Sequence, residues 1–136
     1  MMNSADSTRQ AWWDVLLANP ARGTLEPWED DLSRLLAPEA VTLHRSGGRR
    51  ETVERIEAGG LDLAVLCTES AGRAGMRTLE IIRSLTLELP CLLVTPDTSA
   101  AALCRALELR AYSVVHQPVD SEILARLLIR ILQKWS

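Results

Sequence analysis

The chain has 136 residues, 47% hydrophobic and 24% charged, with 15 basic against 18 acidic side chains and a formal net charge of −3. This composition predicts one globular domain with an apolar core and no room for a second, and the near-balance of charge lacks the concentrated positive field that nucleic acid binding requires. No apolar run has the length of a membrane span, and an odd count of three cysteines, Cys67, Cys91 and Cys104, behind an opening that does not read as a signal peptide predicts a reducing cytoplasm with no disulfide framework.

Phenylalanine is absent, so the core has to be built from Leu, Ile, Val and Ala. Residues 1–10 are polar and without periodicity and are expected to form a flexible arm, leaving 11–136 as a single domain. Trp12 to Ala18 reads as a first strand stopped by Asn19-Pro20, and Ala21 to Pro27 as a loop. Pro27 and the acids Glu29, Asp30 and Asp31 precede Leu32, Leu35 and Leu36, which is a helix start with negative charge at the positive end of the dipole. That helix should stop near Pro38. Ala40 to His44 is expected to be a short second strand, Ser46-Gly47-Gly48 a turn, and Arg50 to Ala58 a helix with Val53 and Ile56 inward, closed by Gly59-Gly60.

Leu61 to Leu66 is a short, mostly apolar run with one early Asp, the pattern of a strand covered on both faces of a parallel sheet. Met76 to Leu85 follows as a helix with Met76, Leu79, Ile82 and either Ile81 or Leu85 inward. Cys91 to Thr95 is a second fully apolar strand. Asp97, Thr98 and Ser99 offer caps to a helix from Ala100 to Leu109, Ala111 to Val115 is the last strand, Gln117-Pro118 turns out of it, and Ser121 begins a helix running to about Trp135. Five strands alternating with five helices over short connections predict an α/β fold: a five-stranded parallel sheet with helices on both faces, joined by right-handed crossovers.

In such a sheet the chemistry gathers beyond the carboxyl ends of the strands, which makes Cys67 the residue to explain. No glycine-rich loop follows the first strand, so a nucleotide or flavin phosphate cradle is not expected. His44, His116 and the cysteines lie on separate elements without metal-ligand spacing, and no metal or other cofactor is expected. Cys67 with His116 as base would be a nucleophile pair, but a thiol at a strand end more simply fills apolar space.

From Leu61 to Asp120 the chain resembles the receiver domain of two-component response regulators, the CheY-like arrangement of five parallel strands and five helices. Asp62-Leu63-Ala64-Val65-Leu66-Cys67 resembles that family's third strand, and Cys67 stands where the family has its phosphoryl-accepting aspartate. Gly72 and Gly75 fall where the family's loop has glycines, Thr95 matches the hydroxyl residue that contacts the phosphoryl group, and Ala106, Ala111 and Gln117-Pro118-Val119-Asp120 also fit, with Gln117 where the family has lysine. At the end of the first strand, Ala18-Asn19 replaces the acidic pair that holds magnesium. Val114 occupies the place of the family's rotating aromatic, with Tyr112 two residues early. The resemblance thus implies a degenerate phosphoacceptor pocket of Ala18, Asn19, Cys67, Thr95 and Gln117, in which Glu69 is the only nearby acid.

Phosphoryl transfer concentrates negative charge that a divalent cation and a lysine must stabilise, and Mg²⁺ takes oxygen ligands that Cys, Ala and Asn supply poorly. The chain is therefore expected to be a pseudo-receiver that signals without phosphorylation, is not an enzyme, and works by binding a protein partner or itself. A thiol-dependent sensor or small enzyme using Cys67, or a small-ligand binder in the vacated pocket, is the alternative. The resemblance and a helical wheel place the interaction surface on the fourth helix, the fifth strand and the fifth helix, with Ala100, Leu103, Cys104 and Leu107 inward and Ala101, Ala102, Arg105 and Leu109 outward on the fourth helix. On the fifth helix, Ile123, Leu124, Leu127, Leu128, Ile131 and Leu132 are expected inward and Ala125, Arg126, Ile129 and Arg130 outward. A self-complementary patch there would give a homodimer with Ile129 at its apolar centre.

Overall fold

The computed structural model describes residues 12–19, 27–68, 73–96 and 99–135. Strands β1 (Trp13–Ala18), β2 (Val41–Ser46), β3 (Leu63–Cys67), β4 (Cys91–Thr95) and β5 (Ser113–His116) form one parallel sheet in the order β2-β1-β3-β4-β5. They alternate with helices α1 (Pro27–Leu36), α2 (Arg49–Glu57), α3 (Arg73–Leu85), α4 (Ala100–Glu108) and α5 (Ser121–Trp135), and a single 3₁₀ turn, Ala37–Glu39, follows α1. The expected five-stranded, doubly covered architecture is present. The expected arm, the loop after Asn19, and Glu69, Gly72, Asp97 and Thr98 lie outside the described residues.

Strands β3 and β4 are buried at every residue, as apolar runs covered on both faces must be. Side chains alternate across the sheet. Val15, Leu17, Val65, Cys67, Leu92 and Val94 pack with α1 and α5, whereas Leu16, Ala18, Ala64, Leu66 and Leu93 pack with Ile56 of α2, Leu79 and Ile82 of α3 and Ala106 of α4. Edge strands β2 and β5 are only partly covered.

Three strand ends differ from the sequence reading by two residues, and backbone hydrogen bonding or strand pairing explains each. β3 begins at Leu63 because Asp62 closes the start of the ladder: its N–H donates to the Asp14 carbonyl at 2.8 Å and its carboxylate accepts from the Asp14 N–H at 2.8 Å. β2 runs on to Ser46 because pairing with β1 continues through Ala18. β5 starts at Ser113 and not at Ala111, since the Ala111 N–H still donates to the Ala106 carbonyl and Arg110 turns the chain with φ of 60°. Gly59 and Gly60, both at positive φ, end α2 as read, with the Gly59 N–H on the Ile56 carbonyl.

The phases of the last two helices correct the helical-wheel reading. In α4 only Ala106 is buried, with Leu109 packed beside it, while Leu103 and Leu107 are 43% and 57% exposed and Cys104 is also exposed. The stripe read as inward thus faces outward, and Ala102 and Leu109, read as outward, are partly covered. Ala101 and Arg105 are exposed as read. The cause is tertiary. Ala106 packs with Leu66 and Leu93 of the sheet and Leu79 and Ile82 of α3, and Arg105 pairs with Glu80 of α3, while locally the Ser99 hydroxyl caps the helix by accepting from the Ala102 N–H at 3.1 Å.

In α5, Leu124, Leu128, Ile131 and Leu132 are buried as read. Ala125 is buried too, Ile129 packs against the core, and Ile123, read as inward, is 61% exposed. Because α5 packs on the sheet and on α1 together, two adjacent ridges of its surface are covered and the buried arc turns away from Ile123. Arg126 and Arg130 remain outward.

Candidate functional site

The strand register assembles the site at the carboxyl ends of the sheet. Ala18 pairs with Leu66, so Asn19, one residue on, lies level with Cys67; Cys67 pairs with Val94 and Thr95 with His116. The Asn19 N–H donates to the Ser46 carbonyl at 3.0 Å, the Thr68 N–H to Val94 at 2.9 Å, and the Gln117 N–H to Thr95 at 3.1 Å, extending the ladders past the strand ends. Ala18, Cys67 and Thr95 are buried, Asn19 is partly covered, and Gln117 is exposed on the edge side. The five residues read from the sequence as one degenerate pocket therefore occupy the ends of β1, β3, β4 and β5, with Gln117 on the rim. The Gln117-Pro118 bond is cis.

Cys67 sits in the apolar layer with Val15, Leu17, Val65 and Val94, at 4% exposure. His116, its possible base, is exposed on the edge strand, two strand positions or about 10 Å of sheet away. That arrangement does not present a thiol and an imidazole to a common substrate. Next to Cys67, Thr68 is buried with its hydroxyl 3.4 Å from the Val94 carbonyl.

The sequence reading missed one carboxylate. Glu29, in the first turn of α1, is 2% exposed, and its Oε2 accepts from Asn19 Nδ2 at 2.6 Å. The helix start had explained Glu29 as a dipole partner. The packing of α1 against the sheet and α5 brings it to the strand end, which corrects the expectation of a single nearby acid. The only sequence signal is indirect: an Asn at a strand end has amide protons to satisfy, and Glu29 supplies an acceptor. Asn19 and Glu29 together bond each other in the place where a free acidic pair would attract a cation. Among the described residues no group of three or more His, Cys, Asp or Glu side chains could hold a metal ion.

Away from the carboxyl ends, polar groups serve the fold. The Ser46 and Thr52 hydroxyls lie 2.7 Å apart, Thr52 donates to the Gly48 carbonyl at 2.9 Å, and Glu51 accepts from the Gly47 N–H at 2.5 Å, tying β2 to α2. Arg83, at the end of α3, donates to the carbonyls of Thr86, Leu89, Leu109 and Arg110 at 2.8–3.3 Å and so joins the loops before β4 and β5. Cys91 lies against this group, and burial pushes its thiol up to about 11 although Arg83 pulls the other way.

No protein-family model and no curated protein sequence matches the chain. Solved structures do. A CheY-like response regulator receiver domain protein from Methanospirillum hungatei JF-1 is 18% identical with a TM-score of 0.76, covering 90% of this chain and 95% of that one. A two-component response regulator from Clostridium difficile is likewise 18% identical with a TM-score of 0.76, covering 91% and 98%. A putative pilus assembly-related protein from Burkholderia pseudomallei K96243 is 24% identical with a TM-score of 0.71, covering 91% and 92%. Identities this low speak for architecture alone, and with the strand order and the two-sided helix layers they establish that this chain has the fold of CheY-like response regulator receiver domains.

Proposed function

We propose that this chain is a receiver-fold module of a two-component-type pathway that does not accept a phosphoryl group and acts by binding protein. The observation that carries this reading is Cys67. At the end of β3 a receiver needs an accessible carboxylate, and this chain has a 4% exposed thiol packed among valines and leucines. Around it the charges that would stabilise a transferring phosphoryl group are replaced: Ala18 and Asn19 end β1, Asn19 is bonded to Glu29, and Gln117 stands at the end of β5.

Binding is assigned to the α4–β5–α5 side, where Leu103, Cys104 and Leu107 of α4, Tyr112 before β5, and Ile123, Arg126 and Arg130 of α5 are exposed. The surface expected from the wheel is thus redrawn: Ala102, Leu109, Ala125 and Ile129 leave it, and Leu103, Cys104, Leu107, Tyr112 and Ile123 join it.

Incubation with acetyl phosphate and Mg²⁺ followed by intact mass measurement tests the reading. The mass is expected to stay unchanged, and Cys67→Asp alone is expected not to restore transfer, because the metal ligands and the lysine are still missing. A phosphate adduct on Cys67 or Thr68 would overturn it.

A further inference from the structure

At the end of the sheet opposite the Cys67 site, the loops that enter β4 and β5 frame an open cavity of about 340 Å³. Arg83 builds it. Its guanidinium donates to the carbonyls of Thr86 and Leu89 in one loop and of Leu109 and Arg110 in the other, which fixes the two loops against each other. Leu87, Leu89, Pro90 and Tyr112 give the cavity its apolar lining, with Leu87 59% and Tyr112 38% exposed, and Glu88 and Arg110 add one negative and one positive side chain.

Arg110 has an unusual place in this lining. It follows the last turn of α4, where its N–H donates to the Leu107 carbonyl at 2.9 Å and the Ala111 N–H to the Ala106 carbonyl at 3.0 Å, and its φ of 60° is the left-handed conformation that glycine normally supplies at a helix end. A long cationic side chain thus stands where backbone preference favours none. Among the described residues neither the Arg110 guanidinium nor the Glu88 carboxylate has an ion pair, whereas Arg34, Arg45, Arg50 and Arg105 each have one. Two opposite charges therefore line one cavity without pairing with each other.

We propose that this cavity binds a free apolar α-amino acid, with its carboxylate on Arg110, its ammonium on Glu88 and its side chain among Leu87, Pro90 and Tyr112. The inference goes beyond the protein-binding role and does not depend on it. The ligand class follows from the lining. A planar guanidinium bonds a carboxylate through two parallel N–H groups, and an acid on the facing loop calls for a cation in the same small molecule. A simple acid would set its carboxylate near Glu88, and a simple amine its ammonium near Arg83 and Arg110, so each would meet a like charge. The volume lies at the small end of the range of about 300–1,000 Å³ for ligand clefts, which accommodates one amino acid side chain. Because Arg83 fixes both loops in advance, binding loses little to ordering them.

Calorimetric titration of the full chain with L-phenylalanine and with L-leucine tests the proposal. At least one of the two is expected to saturate at millimolar concentration or below, and 3-phenylpropionate, which lacks the ammonium, and phenethylamine, which lacks the carboxylate, are expected to bind about tenfold more weakly than L-phenylalanine or not at all. Arg110→Gly removes the cation while giving the left-handed position its preferred residue, and Arg83 keeps the backbone carbonyl it bonds there. This variant is expected to melt no lower than the parent chain and to lose affinity about tenfold or more, and Glu88→Gln to weaken binding in the same direction. Absence of saturation with both amino acids, equal binding of 3-phenylpropionate and L-phenylalanine, or an Arg110→Gly variant that binds as the parent does would overturn the proposal. The two analogues decide the matter without any substitution, should a variant fold poorly.

Discussion

Helices α5 and α4 carry the same kind of sequence, leucine-rich with an i, i+3, i+4 repeat, and the fold treats them oppositely. α5 buries its stripe: Leu124, Leu128, Ile131 and Leu132 are at most 2% exposed, enclosed by the sheet and α1. α4 sits over the edge of the sheet beside four-residue β5, buries Ala106, and turns its leucines to solvent. Periodicity fixes that a helix has an apolar side. Which way that side points depends on how much surface the neighbours can cover, and at an edge strand a small face packed close serves as well as a large one.

The sharpest way to break this comparison is to truncate one leucine on each helix. Leu128→Ala removes a side chain with no exposure and should cost about 2–5 kcal/mol in urea unfolding. Leu107→Ala, at an exposed position, should stay within about 0.5 kcal/mol. Equal losses would mean that the α4 stripe is a core surface after all.

A smaller effect comes from the contacts that position α4. Arg83→Ala removes four hydrogen bonds, two of them to Leu109 and Arg110 just past the helix, and should cost about 1–3 kcal/mol. Hydrogen exchange should rise in residues 105–112 more than in α5. Uniform loss of protection over both helices would show that the two are not separately anchored.

The smallest effect is read through the thiols. Cys104 on the open face should alkylate readily at neutral pH, and Cys91 should resist until the fold opens. Cys91 has a folded value of about 11 against an ordinary 9.0, so the unfolded chain releases this proton first. Its contribution to stability is therefore full below pH 9 and lost as pH rises towards 11. A Cys91→Ala variant should show a flatter profile over that window.

The carboxyl-end site lies between these two cases in how far it could be read in advance. Residues at the strand ends were legible because an apolar run followed by a break places Cys67 and Thr95 without knowledge of neighbours. Glu29 was not legible: ten residues separate it from Asn19, and the 2.6 Å bond depends on the path of α1 over β1.

By itself the amino-acid sequence determined the alternation of strands and helices, the two central strands covered on both faces, the glycine end of α2, and which residues stand at the strand ends. All of these are local: they follow from side-chain size, polarity and backbone preference within one element. Tertiary structure alone decided the order β2-β1-β3-β4-β5, the arrival of Glu29 beside Asn19, and the outward turn of Leu103 and Leu107. Those depend on which surfaces meet, and the free energy of a helix's phase is set by the neighbours that cover it, not by the pattern it carries.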